Sequence, residues 1–399
     1  MHDLLIIGGG PAGLTAGIYG SRSKLKTVIL EKGAVGGMAF TTREIVNYPG
    51  FPEGIAGPEL VKNMAAQAKE FGAEIIKEEI VDAELEGEIK VIKTKKGNLY
   101  KARVIVLAPG SEPRMLNIPG ERQFIGCGVS YCATCDAEFF EGLNVAVVGN
   151  GDAAIEEAVF ITKFASKVFI IVIHDEGVVD CNRVSAEKAF KNEKLEFIWN
   201  SVLAEIKGKD EVEAVVIKNL RTGNLSEIKV EGVFIYVGMV PKTEFLRGKV
   251  NLDERGYIIT NDMMETSAEG VYAAGDVRVK YLRQVATAVG DGAVAVVAAE
   301  SYLAEEEGFR EKVLNADKPV ALAFWDPVDE ESVAAISSVE QAVAETGGRV
   351  SLVKIDMSRK KRMALRYNVK KPSTILLLKE GRVIRNLPPV LPKYWVDEI

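Results

Sequence analysis

An α/β protein with two strand–glycine turn–helix units and a third, smaller α/β domain is the fold class this sequence predicts. Three observations carry it. The segment DLLIIGGGPAGLTAGIYGSRSKLKTVILEKG opens on a continuous apolar run, Leu4 to Ile7, as a strand buried on both faces requires. It turns at Gly8, Gly10 and Gly13 and closes on a second strand, Val28 to Leu30, ended by Glu31. The segment NVAVVGNGDAAIEEAVFITKFASKVFIIVIHDEG repeats the plan with Gly149, Gly151 and Ala154. The tail reads strand (Val320–Trp325), helix (about 330–345), strand (Val350–Ile355), short helix, strand (Thr374–Leu378) and hairpin partner (Gly381–Ile384).

Bulk properties bound the function. A chain of 399 residues holds two or three domains, and 47% apolar with 27% charged residues is ordinary for a soluble protein with a sizeable core. A net charge of −7 argues against nucleic acid or an anionic membrane as partner. No stretch approaches the ~18 apolar residues of a membrane span. The start, MHDLLIIGGG, runs straight into a strand with no basic, cleavable leader, so the cytoplasm is expected, where thiols stay reduced.

Each glycine turn sits where it can do chemistry, after a strand and before a helix. Glycines there allow a tight turn and close approach of backbone to a pyrophosphate, and the helix N-terminus stabilises its charge. Glu31 lies near the spacing of a carboxylate that takes ribose hydroxyls. Two such Rossmann-like units point to two dinucleotide sites, or to one dinucleotide cofactor and one dinucleotide substrate. Residues 73–105 alternate short strands and turns, a β-meander inserted in the first domain. Proline-bearing crossings at 111–121 and 241–248 join the domains. A Gly275–Asp276 pair then precedes a long helix rich in small residues; by itself the pair also fits a helix cap.

Cys132 and Cys135 form a C-x-x-C in SYCATCDAEFF. A zinc site would need further ligands, and Cys127, Cys181, His2 and His174 stand alone and far apart, so no metal is expected. A structural staple is disfavoured in a reducing compartment, which leaves a redox dithiol as the leading reading. Cys127 reads as a small buried apolar side chain and Cys181 as incidental.

These elements in this order resemble the low-molecular-weight thioredoxin reductases, which are FAD-dependent disulfide reductases. The resemblance covers about 1–305, through GGGPAG (8–13), TTREIVNYPGF (41–51), CATCD (132–136), GNGDAA (149–154) and YAAGDVRVKYLRQVATAVGDG (272–292). It implies FAD along Gly8, Gly10, Pro11, Ala12 and Gly13, with ribose contacts at Glu31 and Lys32, adenine near the Val81 backbone, and the flavin end near Gly37, Asn47 and Gly110. It implies Gly275 and Asp276 at the ribityl chain, and Arg283, Gln284 and Val285 on the flavin and phosphate side. Cys132 and Cys135 would be the redox pair and Asp136 the acid for a leaving thiolate. The nicotinamide cofactor would take Gly149, Gly151, Asp152, Ala153, His174, Asp175, Glu176 and Gly238. The family expectation is a homodimer whose nicotinamide domain rotates about the two crossings.

The tail resembles thioredoxin, through ALAFWDPVDEES (321–332) and YNVKKPSTILLLKEGRVI (367–384). Asp326, Pro327, Val328 and Asp329 stand where the active-site cysteines would be, so this domain cannot exchange dithiols. The resemblance implies a cis peptide bond at Pro372, and the usual final helix looks absent. The expected division is an FAD domain at 1–114 and 246–306, interrupted by a nicotinamide domain at 115–245 that carries the dithiol. A linker at 307–318 and the thioredoxin-like domain at 319–399 follow.

The informative departure is HDEGVVD. NADPH-using relatives carry His-Arg-Arg and a later Arg, whereas here His174 is followed by Asp175, Glu176 and Asp180. Carboxylates repel a 2′-phosphate and accept from a free 2′-hydroxyl, so NADH is expected over NADPH. Met38, where relatives often have Gln, and Pro109, within the common Ala-Thr-Gly, each touch a single contact. The expected reaction passes electrons from NADH through FAD and the dithiol to thioredoxin or a glutaredoxin-like protein. Ferredoxin-linked, peroxiredoxin-linked and NADH-oxidase activities are the alternatives within the class, and a redox-sensing scaffold is the alternative outside it.

Overall fold

The computed structural model describes residues 1–399 except Arg43, Val46, Pro389, 391–394 and 396–399. The chain divides into two units, Met1–Glu300 and Ser301–Ile399.

The first unit is built on two mainly parallel sheets. In the first, the strand order is Glu74–Lys77, Thr27–Glu31, His2–Ile7, Leu99–Leu107, Lys90–Thr94, Ile80–Glu84, and Val271–Ala273 also pairs with Leu99–Leu107. The central strand pairs in parallel on both sides, Leu5 against Val28 and Ile105, which is why Leu4, Leu5 and Ile6 are wholly buried and apolar without alternation. The expected meander in 73–105 covers only part of that stretch, Ile80 onward, and is continuous with the first sheet. Glu74–Lys77 lies parallel to Thr27–Glu31 at one edge, and only Ile80–Leu107 runs antiparallel, as a continuation of the same sheet. Residues 271–273 return to this sheet after the intervening segment.

The second sheet is wholly parallel, in the order Leu195–Ile198, Lys167–Ile171, Asn144–Val148, Gly232–Ile235, Val129–Ser130. Its short last strand ends two residues before Cys132. An antiparallel ribbon of Ser201–Gly208, Val212–Asn219 and Leu225–Lys229 follows. The two proline-bearing crossings meet: Ser111–Pro113 pairs antiparallel with Met239–Pro241, and Arg114 N donates to Gly238 O at 2.9 Å.

The second unit has a four-stranded sheet, ordered Ser351–Asp356, Val320–Trp325, Thr374–Lys379, Arg382–Leu387. The first pair is parallel and the other two are antiparallel. Helices Glu330–Ala344 and Lys361–Arg366 connect them. Two expectations fail here. The charged stretch 307–318 is no linker. It is helical to Phe309 and continues as a π-helical turn, Arg310–Leu314, while Phe309 and Val313 are buried with Leu322, Phe324 and Leu378. Its charges mislead because they are partnered: Glu306 takes Arg362 at 2.9 Å and Arg366 at 2.8 Å. The peptide bond at Pro372 is trans, the isomer lower in energy by about 0.5–1 kcal/mol. Ser373, at φ 64°, makes the turn instead and donates its N–H to Phe324 O at 2.8 Å. The question of a final helix falls largely outside the described residues.

Asp326 to Asp329 are used structurally. Asp329 accepts from Glu331 N and Ser332 N and caps the helix Glu330–Ala344, while Asp326 N donates to Ser332 Oγ at 2.9 Å. Among the described residues no helix is long and apolar enough to cross a membrane.

Candidate active site

One cavity of about 1080 Å³ in the first unit gathers most of the singled-out residues. Its floor is the first glycine turn. Gly8 has φ 104°, and a Cβ on Gly13 would lie 1.9 Å from Gly8 O, so the turn closes only on glycine. Helix Pro11–Arg22 starts from Gly10 with no side-chain cap and no acidic residue in its first turn, leaving its N–H groups free for an anion. Glu31 is pinned from both sides: Oε2 accepts from Gly9 N at 2.7 Å and Oε1 from Gly33 N at 2.8 Å.

Across the cavity lies the turn Gly275–Val277. Asp291, on the following helix, anchors the loop around it. It accepts from Gly275 N at 3.0 Å, Arg278 Nη1 at 3.0 Å and Lys280 Nζ at 2.7 Å. Asp276 is different. Burial pushes its carboxyl above the usual range, and its Oδ1 is buried with no hydrogen-bond partner. An orphaned acceptor on the wall of a cavity floored by a phosphate-type turn fits a hydroxyl-bearing chain joined to a pyrophosphate, which is the chemistry of FAD.

The dithiol opens on the same space. Cys132 and Cys135 are joined by a disulfide, with their Cα atoms 5.3 Å apart. Cys132 caps the single helical turn Ala133–Asp136. Ser130 Oγ accepts from Cys132 N at 3.0 Å and donates to Asp136 Oδ2 at 2.5 Å. Tyr236 Oη accepts from Ala133 N at 2.6 Å. A polar chain then crosses from Asn47 and Gln284 to the sulfur. Asn47 Nδ2 donates to Gln284 Oε1 at 3.2 Å, Gln284 Nε2 to Thr134 Oγ1 at 3.3 Å, and Thr134 Oγ1 lies 3.4 Å from Cys132 Sγ. Burial raises the Asp136 carboxyl, with the Ser130 hydrogen bond opposing it. This carboxyl therefore keeps its proton to higher pH than an exposed one and can serve as an acid beside the sulfurs.

The cavity brings together Gly8, Gly10, Pro11, Ala12, Glu31, Lys32, Gly37, Asn47, Gly110, Cys132, Cys135, Asp136, Ala153, Gly275, Asp276, Arg283, Gln284 and Val285. Gly13 lies under the turn, and Val81 is exposed beside the wall residues Glu79 and Ile80. Gly149, Gly151, Asp152, His174, Asp175, Glu176 and Gly238 lie outside the cavity. Gly149, at φ 137°, packs its Cα side against Tyr236 O, where a Cβ would come within 2.4 Å. Asp152 accepts from Asn182 N at 2.7 Å, and that contact holds its carboxyl below the usual range.

One expectation is overturned. Cys127 is exposed and lines the cavity, because the flanking turns at Gly126 (φ 77°) and Gly128 (φ 114°) aim it outward. Sequence reasoning also misses Ser130, Thr134 and Tyr236. Ser130 stands two residues before Cys132 and is legible as a local hydroxyl partner. Tyr236 lies 103 residues from Ala133, with no local signal to join them.

A model of the pyridine nucleotide-disulphide oxidoreductase family matches residues 2–292. The chain belongs to this family. The thioredoxin reductase of Peptoclostridium acidaminophilum is 50% identical over 317 residues, 78% of this chain and 99% of that protein. The bifunctional thioredoxin reductase/thioredoxin of Mycobacterium leprae is 33% identical over 429 residues, 97% of this chain and 93% of that one. The crystal structure of thioredoxin reductase from Streptococcus pyogenes MGAS5005 shares 43% identity with a TM-score of 0.72, covering 76% of this chain and 99% of that one. This oxidoreductase is thus a pyridine nucleotide-dependent disulfide reductase of the FAD-dependent, thioredoxin reductase-like kind. Gly13→Ala will destabilise this enzyme by about 3 kcal/mol, since backbone meets the new methyl and cannot retreat. Thermal melts and the flavin-to-protein absorbance ratio will both fall.

Proposed function

We propose that this enzyme carries electrons from NADH, in preference to NADPH, to the disulfide of a thioredoxin or glutaredoxin-like protein. The observation that carries this reading is the shared cavity, in which the Cys132–Cys135 disulfide, the Gly8–Gly13 turn and Asp276 line one space. Bound FAD would supply the two-electron relay between a nicotinamide and this disulfide. Gly8–Gly13 would hold its pyrophosphate, Glu31 its ribose and Asp276 its hydroxyl chain. Ser130 and Tyr236 fix the backbone that carries the two sulfurs.

Outward transfer needs only the chain's own groups. One thiolate of the reduced pair attacks the partner's disulfide; an S–S bond forms to the enzyme and the partner's first sulfur leaves. The other enzyme thiolate then attacks the mixed disulfide. This restores Cys132–Cys135 and releases the partner's second sulfur, so the partner gains two electrons. Asp136 gives a leaving sulfur its proton.

The proposed nicotinamide-side residues, except Ala153, are not among those that line the cavity holding the disulfide. This supports a working motion about the paired crossings Ser111–Pro113 and Met239–Pro241. NADH is favoured because Asp175, Glu176 and Asp180 replace the basic positions after the second strand, with Asp180 tied to the second glycine turn through Asn150, and each fixed charge within ~6 Å of a 2′-phosphate acts with about 1–3 kcal/mol before salt screening. The second unit is read as thioredoxin-like from its strand order and from the Mycobacterium leprae relative that spans it. It has no cysteine for exchange and serves as a docking or dimer surface. A cytoplasmic homodimer is the assembly this reading implies.

The test is anaerobic titration of the flavoprotein with each nucleotide, then turnover on a panel of disulfide proteins. NADH will give the higher kcat/KM by about tenfold or more. A higher value with NADPH overturns the nucleotide assignment, and turnover with oxygen but with no disulfide protein overturns the acceptor.

A further inference from the structure

The acidic edge that favours NADH also carries a cation from elsewhere in the chain. The antiparallel strands Val212–Asn219 and Leu225–Lys229 are joined by a tight loop. Asn219 locks that loop: its Oδ1 accepts from Arg221 N and Thr222 N, both at 3.0 Å. The loop is tied to the end of the nucleotide-side strand through Asn200. Asn200 N donates to His174 O at 2.8 Å, and Leu220 N donates to Asn200 O at 2.6 Å. Asn200 holds φ 52°, a left-handed conformation that asparagine tolerates better than most residues. These bonds bring Arg221 beside the residue after His174, and Arg221 Nη2 makes an ion pair with Asp175 Oδ1.

The neighbouring carboxylate has other partners. Asp180 Oδ2 takes His174 Nε2 at 3.0 Å and Asn150 Nδ2 at 2.9 Å, which ties it to the second glycine turn. Arg221 is thus engaged by Asp175, at the edge where a nucleotide's 2′ position would come. Both side chains remain more than half exposed, at 65% and 59%. A pair this open contributes little to folding, so its placement can be altered without unfolding the protein.

We propose that Arg221 is a specificity-determining residue for the nucleotide, a guanidinium suited to a 2′-phosphate and held from it by Asp175. This rests on the reading that residues 149–176 bind the nicotinamide nucleotide and prefer NADH. Asp175 then acts twice: its charge repels the phosphate, and its ion pair occupies the group that would bind it. Arginine is the side chain suited to this role, because its planar fork matches phosphate oxygens in a bidentate way.

The test uses 2′,5′-ADP and 5′-AMP, which differ only in the 2′-phosphate, titrated calorimetrically into wild type, Asp175→Asn, and Asp175→Asn combined with Arg221→Ala or Arg221→Lys. Asp175→Asn will tighten 2′,5′-ADP relative to 5′-AMP by about tenfold, the scale of one freed charge-assisted contact. Arg221→Ala in that background will cancel the gain to within about threefold of wild type, and Arg221→Lys will keep part of it. The kcat/KM ratio for NADPH over NADH will move in the same order. An equal gain with and without Arg221 means that charge removal alone acts, and overturns the proposal while leaving the NADH reading intact. Wild type binding 2′,5′-ADP more tightly than 5′-AMP overturns the NADH reading itself. Failure of every variant to bind either probe overturns both.

Discussion

Cys135→Ser will reduce no protein disulfide above background, a fall of about 10³-fold or more, yet the purified variant will still be yellow and still bleach with NADH under argon. The two halves separate because they use different parts of the cavity. The proposed FAD contacts are Gly8–Gly13, Glu31 and Asp276, and among the described residues none of these is hydrogen-bonded to Cys135. Disulfide transfer needs both sulfurs, one to attack and one to resolve, and a serine hydroxyl can do neither at neutral pH. If Cys132 is the attacking sulfur, the variant will trap the partner as a stable mixed disulfide on Cys132, visible by non-reducing electrophoresis. If Cys135 attacks, no adduct will form. Undiminished turnover would remove the dithiol from the reaction. Undiminished client binding with no turnover in the wild type would favour the sensing scaffold instead.

Most of this machinery is local, which is why so much of it is legible in the sequence. The strand–turn–helix units need apolar runs and glycines only at fixed short offsets, and His2–Ile7, Thr27–Glu31 and Asn144–Val148 form where those patterns stand. The strands and connecting helices from Val320 to Leu387 likewise follow the alternation read from 320 to 384. What is illegible depends on partners distant in sequence. The run EEEGFREKVLNADK looks solvated, yet Glu305 and Glu306 pair with Lys360, Arg362 and Arg366 more than fifty residues later, and Phe309 and Val313 go inside. Cys127 misleads because cysteine is usually buried, whereas its exposure is set by two glycine turns that composition does not reveal. Tyr236 directly follows the second sheet's Gly232–Ile235 strand in sequence and joins the dithiol turn by contact.

Asp136→Asn will lower turnover with thioredoxin by about 10²-fold while leaving the anaerobic bleaching step near wild type. Asparagine is isosteric and its Oδ1 can still accept from Ser130 Oγ, so the turn that carries the sulfurs will persist. What is lost is a transferable proton. Burial raises the Asp136 carboxyl, so the wild type will lose activity with rising pH as this group ionises, and the variant will lack that limb. The same shift has a consequence for stability. A carboxyl raised in the folded state binds more protons there than in the unfolded chain. Its contribution is therefore complete below the unfolded value, near 4, and is lost as pH rises through the folded value. The substituted amide carries no such dependence, so the variant will gain stability relative to wild type as pH is raised from acid to neutral. Denaturant titrations at both pH values, paired with thioredoxin-coupled rates, measure the two effects separately. A variant that reduces thioredoxin as fast as wild type would show that another group protonates the leaving sulfur. A variant whose stability difference does not change with pH would show that the Asp136 carboxyl titrates alike in the folded and unfolded chain.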